Sequence, residues 1–177
     1  MTDGPTAEPT ARSRRVLLGI GMAVLLLIVH LTVWREARNV LARHVAYPLV
    51  AAIDTDRAAR FDLDAESFDR TITAVRTDVG SEATMEAYRV PANMDYLLAA
   101  LVLIAVFPRR LYWFYLWLAH LAIGAAALAA FAVGVGWTDV GFAVGVFLRV
   151  YVLRAVSLLA VVGALTSSSK KFLDRLA

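Results

Sequence analysis

The stretch V-G-F-A-V-G-V-F-L-R-V-Y-V-L-R-A-V-S-L-L-A-V-V-G-A-L, residues 140–165, decides the fold. As a helix rising ~1.5 Å per residue it is longer than the roughly 30 Å hydrocarbon core of a bilayer. Its only charges are Arg149 and Arg154. A guanidinium at the centre of a bilayer costs ~2.5–3.5 kcal/mol or more unless it is partnered, so each arginine marks either a functional site or a packing anchor. The same rise places Arg149 roughly 15 Å from Asp139, near mid-bilayer, with Arg154 about 7 Å deeper. On an ideal helix the two point about 140° apart, which argues against one shared small site.

Working outward, Trp137-Thr138-Asp139 connects this stretch to another apolar run, Leu111 to Gly136. So short a link forces the two into an antiparallel hairpin. The run opens on Tyr112, Trp113, Phe114, Tyr115 and Trp117, rings that favour the headgroup level. Before it, Pro108-Arg109-Arg110 ends the shorter run 94–107, M-D-Y-L-L-A-A-L-V-L-I-A-V-F. Near the start, Val16 to Trp34 is long enough to cross. Ser13-Arg14-Arg15-Val16-Leu17-Leu18 looks like part of a twin-arginine export signal, but the apolar run exceeds a signal core and no small-residue cleavage site follows promptly. It reads as an uncleaved anchor.

The expected fold is therefore mainly α, a four-span transmembrane helical bundle with a small extracytoplasmic segment. Its parts are a disordered tail (1–15), spans at 16–34, 94–107, 111–136 and 140–165, the segment 35–93, and a tail (166–177). Four spans leave both termini on one side, with eight basic residues against three acidic ones. The segment 35–93 carries eight arginines and ten acidic residues, and five of those arginines lie close to span ends. The positive-inside rule favours cytoplasmic termini. Within the segment, Val40, Leu41, Val45, Leu49 and Val50 share a helical face, predicting an amphipathic surface helix over 36–53 broken near Pro48. Residues 70–90 suggest two β-segments around a turn at Gly80-Ser81.

Composition agrees. The chain has 177 residues, 60% of them hydrophobic, against about 45–50% for a soluble domain. Its mean hydropathy is +0.65. The net charge of +3 is spread without a basic block, so nucleic acid is not an expected partner. The absence of cysteine excludes disulfides, thiolate metal sites and cysteine nucleophiles.

The candidate polar site combines Arg149, Arg154, His120, Asp95 and His30, with Asp95 the obvious carboxylate partner. One reading is a buried grip on an anion, a carboxylate or a partner helix; the other is arginines that cap carbonyls, pair with Asp95 or snorkel. Gly141-x-x-x-Gly145 and Ala126-x-x-x-Ala130-x-x-x-Gly134 permit close helix approach, within the hairpin or between two copies of the chain. Asp62-x-Asp64-x-Glu66 resembles a calcium-loop opening, but Ser67 and Thr73 replace the required glycine and glutamate, so it reads as a solvated acidic face. His30, His44 and His120 lack metal-ligand spacing. Serines 167–169 beside Lys170-Lys171 read as a polar tail. No metal or cofactor is expected.

The order of parts resembles the small membrane proteins that accompany exosortases, bacterial intramembrane transpeptidases that process C-terminally tagged exported proteins. The likeness rests on one span, a Pro-containing amphipathic segment, a short β-like stretch, Pro91-Ala92-Asn93-Met94-Asp95-Tyr96, Pro108-Arg109-Arg110 and two closing spans. Exosortases are similar in placing arginines in late spans, but they require a nucleophilic cysteine that this chain lacks. The resemblance implies a non-enzymatic accessory protein of the bacterial inner membrane, in contact with lipid and an exosortase-like partner. Two alternatives remain: a small anion transporter or channel subunit using Arg149, Arg154 and His120, and a membrane enzyme with Asp95 and His120 as acid–base pair.

Overall fold

The computed structural model describes residues 11–65, 70–78, 85–107 and 110–173, without the side chains at 11, 12, 15 and 168–173. Outside the described residues lie most of the N-terminal tail, Glu66 and Ser67, the Gly80-Ser81 turn, Pro108-Arg109 and the last four positions. The chain is mainly helical, and among the described residues three helices are long and apolar enough to cross a membrane: Val16–Ala51, Tyr112–Gly136 and Asp139–Ser167. A shorter apolar helix spans Met94–Val106.

The first rod comprises α1 (Ala11–Val29), α2 (Arg35–Val40) and α3 (Tyr47–Ala51), joined by π-helical turns at His30–Trp34 and Leu41–Ala46. This corrects the expected break near Pro48. Proline lacks an N–H and its ring crowds the preceding turn, yet the wider π turn ending at Ala46 absorbs both demands, and the helix runs on. Residues 36–51 therefore continue the first apolar helix rather than forming a separate one. They turn Ala42, Ala46 and Val50 inward and leave Val40, Val45 and Leu49 exposed.

After a 3-10 turn at Ala58–Arg60, three antiparallel strands form a sheet in the order β1-β2-β3: Phe61–Asp64, Thr71–Arg76 and Met85–Arg89. The two strands expected after residue 70 pair with Ile72 opposite Tyr88. The sequence reading missed β1, which sets Phe61 opposite Arg76. Four residues of F-D-L-D alternation are too short a signal to separate from loop.

Asn93 caps α4 (Met94–Val106), its side chain accepting from the Asp95 N–H at 3.1 Å. Next come α5 (Tyr112–Gly136), α6 (Asp139–Phe147) and α7 (Leu153–Leu173), with a π turn at Leu148–Val152 between the last two. The α5–α6 hairpin closes backbone to backbone. A Cβ on Gly141 would strike Gly134 N and lie 2.5 Å from Ala130 O, while one on Gly145 would meet Ala127 O at 3.4 Å. These small residues thus serve packing within one chain.

Two apolar cores result. One joins α4 and the first half of α5 to α1 and α7, through residues such as Leu26, Leu97, Leu103, Leu116 and Ala164. The other joins the sheet to the π turn before α3, the second half of α5 and α6, through Ala46, Ile72, Tyr88, Phe131 and Phe142. The sheet is thus packed on the hairpin. The loop before it also secures the hairpin tip, because Thr55 Oγ1 donates to Gly136 O at 2.9 Å and Arg57 Nε to Gly134 O at 3.1 Å. Arg57 pairs with Asp139 as well, so the otherwise unpaired carbonyls at the end of α5 are occupied.

Candidate functional site

The five polar residues named as candidates for an internal network separate into three groups. Arg149, half-buried, donates from Nη1 to Ala87 O of β3 at 2.9 Å. Its partner is sheet backbone. The expectation of a mid-bilayer position was drawn from helical rise alone, and the contact observed is with strand backbone.

Arg154 and Asp95 form an exposed pair, with Nε to Oδ2 at 3.7 Å. The π turn between the two arginines narrows their separation from the ideal-helix value, yet one reaches the sheet while the other reaches α4.

His120 has no exposed surface, and its Nε2 lies 2.9 Å from Ser157 Oγ. Tyr96 packs edge-on against His120, with ring centres 5.5 Å apart, and faces His30 at 6.0 Å on its other side. His30, Tyr96, His120 and Ser157 therefore make a transverse polar layer through four helices. The Tyr96 hydroxyl donates to Trp113 O at 3.3 Å. The Asp95 carboxylate pairs with Arg154.

The residues that sequence reasoning missed lie where the first rod meets the sheet. Arg38 is 6% exposed, and its Nε and Nη2 both donate to Val90 O, at 3.2 and 2.8 Å. Trp34 Nε1 donates to Ala92 O at 2.9 Å. Together they satisfy the irregular backbone between β3 and α4, where Ala92 sits in the left-handed region at φ 58°. Nearby, Arg35, Arg38, Arg70 and Arg89 line a cavity of about 220 Å³ with His30 and Asn93. Only the spacing of Arg35 and Arg38 on one helix could have hinted at this cluster. Arg70 and Arg89 come together at one end of the antiparallel β2–β3 ladder, where Thr71 stands opposite Arg89, and arrive through tertiary packing.

Elsewhere, an open groove of about 660 Å³ lies between the sheet and α6, lined by Phe61, Phe142, Phe147 and Tyr151 with Arg76 and Glu86. Asp62 and Asp64 sit on β1, paired with Val75 and Thr73. Among the described residues, no group of three His, Cys, Asp or Glu could hold a metal ion. In the sheet, the Arg76 side chain hydrogen-bonds Asp78 at 2.7 Å and holds that carboxyl below its ordinary range. Burial pushes the Tyr88 phenol up to about 12, only partly opposed by the charge of Arg38.

Fold and site define a helical protein of membrane type with a sheet locked onto one end of its helices. Comparison with models of known families, with curated proteins and with solved structures gives no match.

Proposed function

We infer that the chain is a four-pass protein of the bacterial inner membrane with cytoplasmic termini, acting as a non-enzymatic accessory that presents its outer layer to a membrane partner of exosortase type. Hydrocarbon ends near the Arg149–Ala87 contact, since sheet backbone cannot enter it. From there to Ser167 the helix rises ~27 Å, close to the thickness of a hydrocarbon core. Val16 to Arg35 covers a similar rise on the first rod. The short α4 completes the bundle because its outer end, residues 90–93, is irregular backbone buried in protein and satisfied by Arg38 and Trp34.

The observation that carries the reading lies above that level. Val140, Val144 and Phe147 of α6 are exposed, and the aromatic groove beside them opens between α6 and the sheet. An apolar face beyond the bilayer on a locked hairpin suits docking. The buried and paired arginines then hold the platform rigid rather than doing chemistry.

The test is co-purification of a cysteine-containing membrane transpeptidase from the native host. Wild type is expected to retain it, and Phe147→Glu with Val144→Glu to lose it while keeping the native melting temperature. Retention by that variant would overturn docking on this face. Anion flux in proteoliposomes that is abolished by Arg149→Gln and Arg154→Gln would replace the reading with transport.

A further inference from the structure

We propose that the junction between the first rod and the sheet is a binding site for one anionic phospholipid, its phosphate in the arginine cavity and an acyl chain in the aromatic cleft next to it. Two observations carry this independently. The first is charge. Guanidinium groups from α2, the start of β2 and the end of β3 gather around about 220 Å³ with Asn93, and no acidic residue is among the described residues lining it. Arg38 lies within Coulombic reach of both Arg70 and Arg89. Bringing like charges together on a nearly buried arginine costs free energy that a bound anion offsets, and a phosphate accepts several charge-assisted hydrogen bonds from such forks.

The second is shape and polarity. Directly adjoining, and sharing His30 as a wall, is another cleft of about 220 Å³ lined by Leu26, Val29, Trp34, Phe114 and Trp117. Its lining is almost wholly apolar, with Trp34 and Trp117 edge to face at 5.3 Å. A polar anion has no use for this cleft, whereas a hydrocarbon chain fits it. Leu31 and Met94 at the mouth of the arginine cavity are exposed, so headgroup and chain can enter from the side. The lipid assignment rests on residence in a phospholipid bilayer; the phosphate half rests on the arginines alone.

The full chain in nanodiscs of mixed phosphatidylglycerol and phosphatidylcholine, released for native mass spectrometry, is expected to retain phosphatidylglycerol above its bulk fraction. Arg35→Gln with Arg89→Gln should weaken that retention about tenfold, since each removes a charge-assisted contact. Arg38 is left intact because it also holds Val90. Val29→Trp, which fills the cleft, should reduce lipid retention yet leave the response to free glycerophosphate unchanged. Stabilisation of detergent-solubilised protein by glycerophosphate or inorganic phosphate, without lipid enrichment, would overturn the lipid and keep the phosphate site. Neither enrichment nor stabilisation, or equal behaviour of wild type and the Arg35/Arg89 variant, would overturn both. An Arg60→Gln control, on exposed surface away from the cavity, should match wild type.

Discussion

At the scale of single residues, what an arginine contributes depends on whether its partner can find another. Arg38 holds Val90 O with two donors in a buried setting, so Arg38→Met strands a carbonyl and should cost about 2–3 kcal/mol. Arg154 and Asp95 are both substantially exposed, so Arg154→Gln should cost under ~1 kcal/mol. Melting of the purified protein in detergent checks both, and a larger loss in Arg154→Gln would contradict the reading. Tyr88 supplies a pH signature. Its phenol is buried, donates to Gly124 O at 3.2 Å and titrates near 12 when folded, against 10.0 unfolded. A raised folded pKa means the contribution is intact below pH 10 and is lost as pH rises from there to 12, about 2–3 kcal/mol in all. Tyr88→Phe should abolish that alkaline loss, as followed by unfolding at stepped pH. The sequence made Arg149 and Arg154 conspicuous because they interrupt apolar residues. It hid Arg38, whose partner is backbone 52 positions away.

At the scale of elements, glycine separates packing from propensity. Gly141 faces the backbone of α5, and any side chain there must push the hairpin apart. Gly141→Leu should therefore cost 3 kcal/mol or more, about the upper range for overpacking. Gly21 has nothing within 4 Å of its would-be Cβ, so Gly21→Ala should be neutral or stabilising by up to ~1 kcal/mol. Equal destabilisation by the two would contradict the hairpin geometry. The hairpin was legible because a small-residue spacing and a three-residue link constrain each other locally. The continuity through Pro48 was not, since a π turn leaves no mark in apolar periodicity; a proline in a helical pattern reads as a stop unless the turn before it is known.

At the scale of the molecule, apolar runs gave the helices their places, but nothing local tells that the sheet packs on the second half of α5. That packing arises from Ile72, Tyr88, Phe131 and Phe142 meeting across long sequence separations. On the proposed reading it sets the edge of the bilayer at Arg149, where helical rise alone would set the centre. The difference can be measured. Single cysteines introduced into this cysteine-free chain report depth by maleimide labelling in intact cells. Positions 78 and 144 should label from outside, 110 only after permeabilisation, and 159 on lipid-facing α7 poorly from either side. A bilayer centred on Arg149 predicts instead that 144 resists labelling, because it would lie only about 7 Å from the midplane. Labelling of 78 and 110 from the same side would overturn the four-pass topology itself. Protection of 144 with normal labelling of 78 has two readings, lipid or a bound partner. Repeating the measurement on purified protein in nanodiscs separates them, because a partner-covered site becomes reactive and a lipid-covered one does not. The docking face and the inferred membrane boundary therefore stand or fall on the reactivity of one turn of α6.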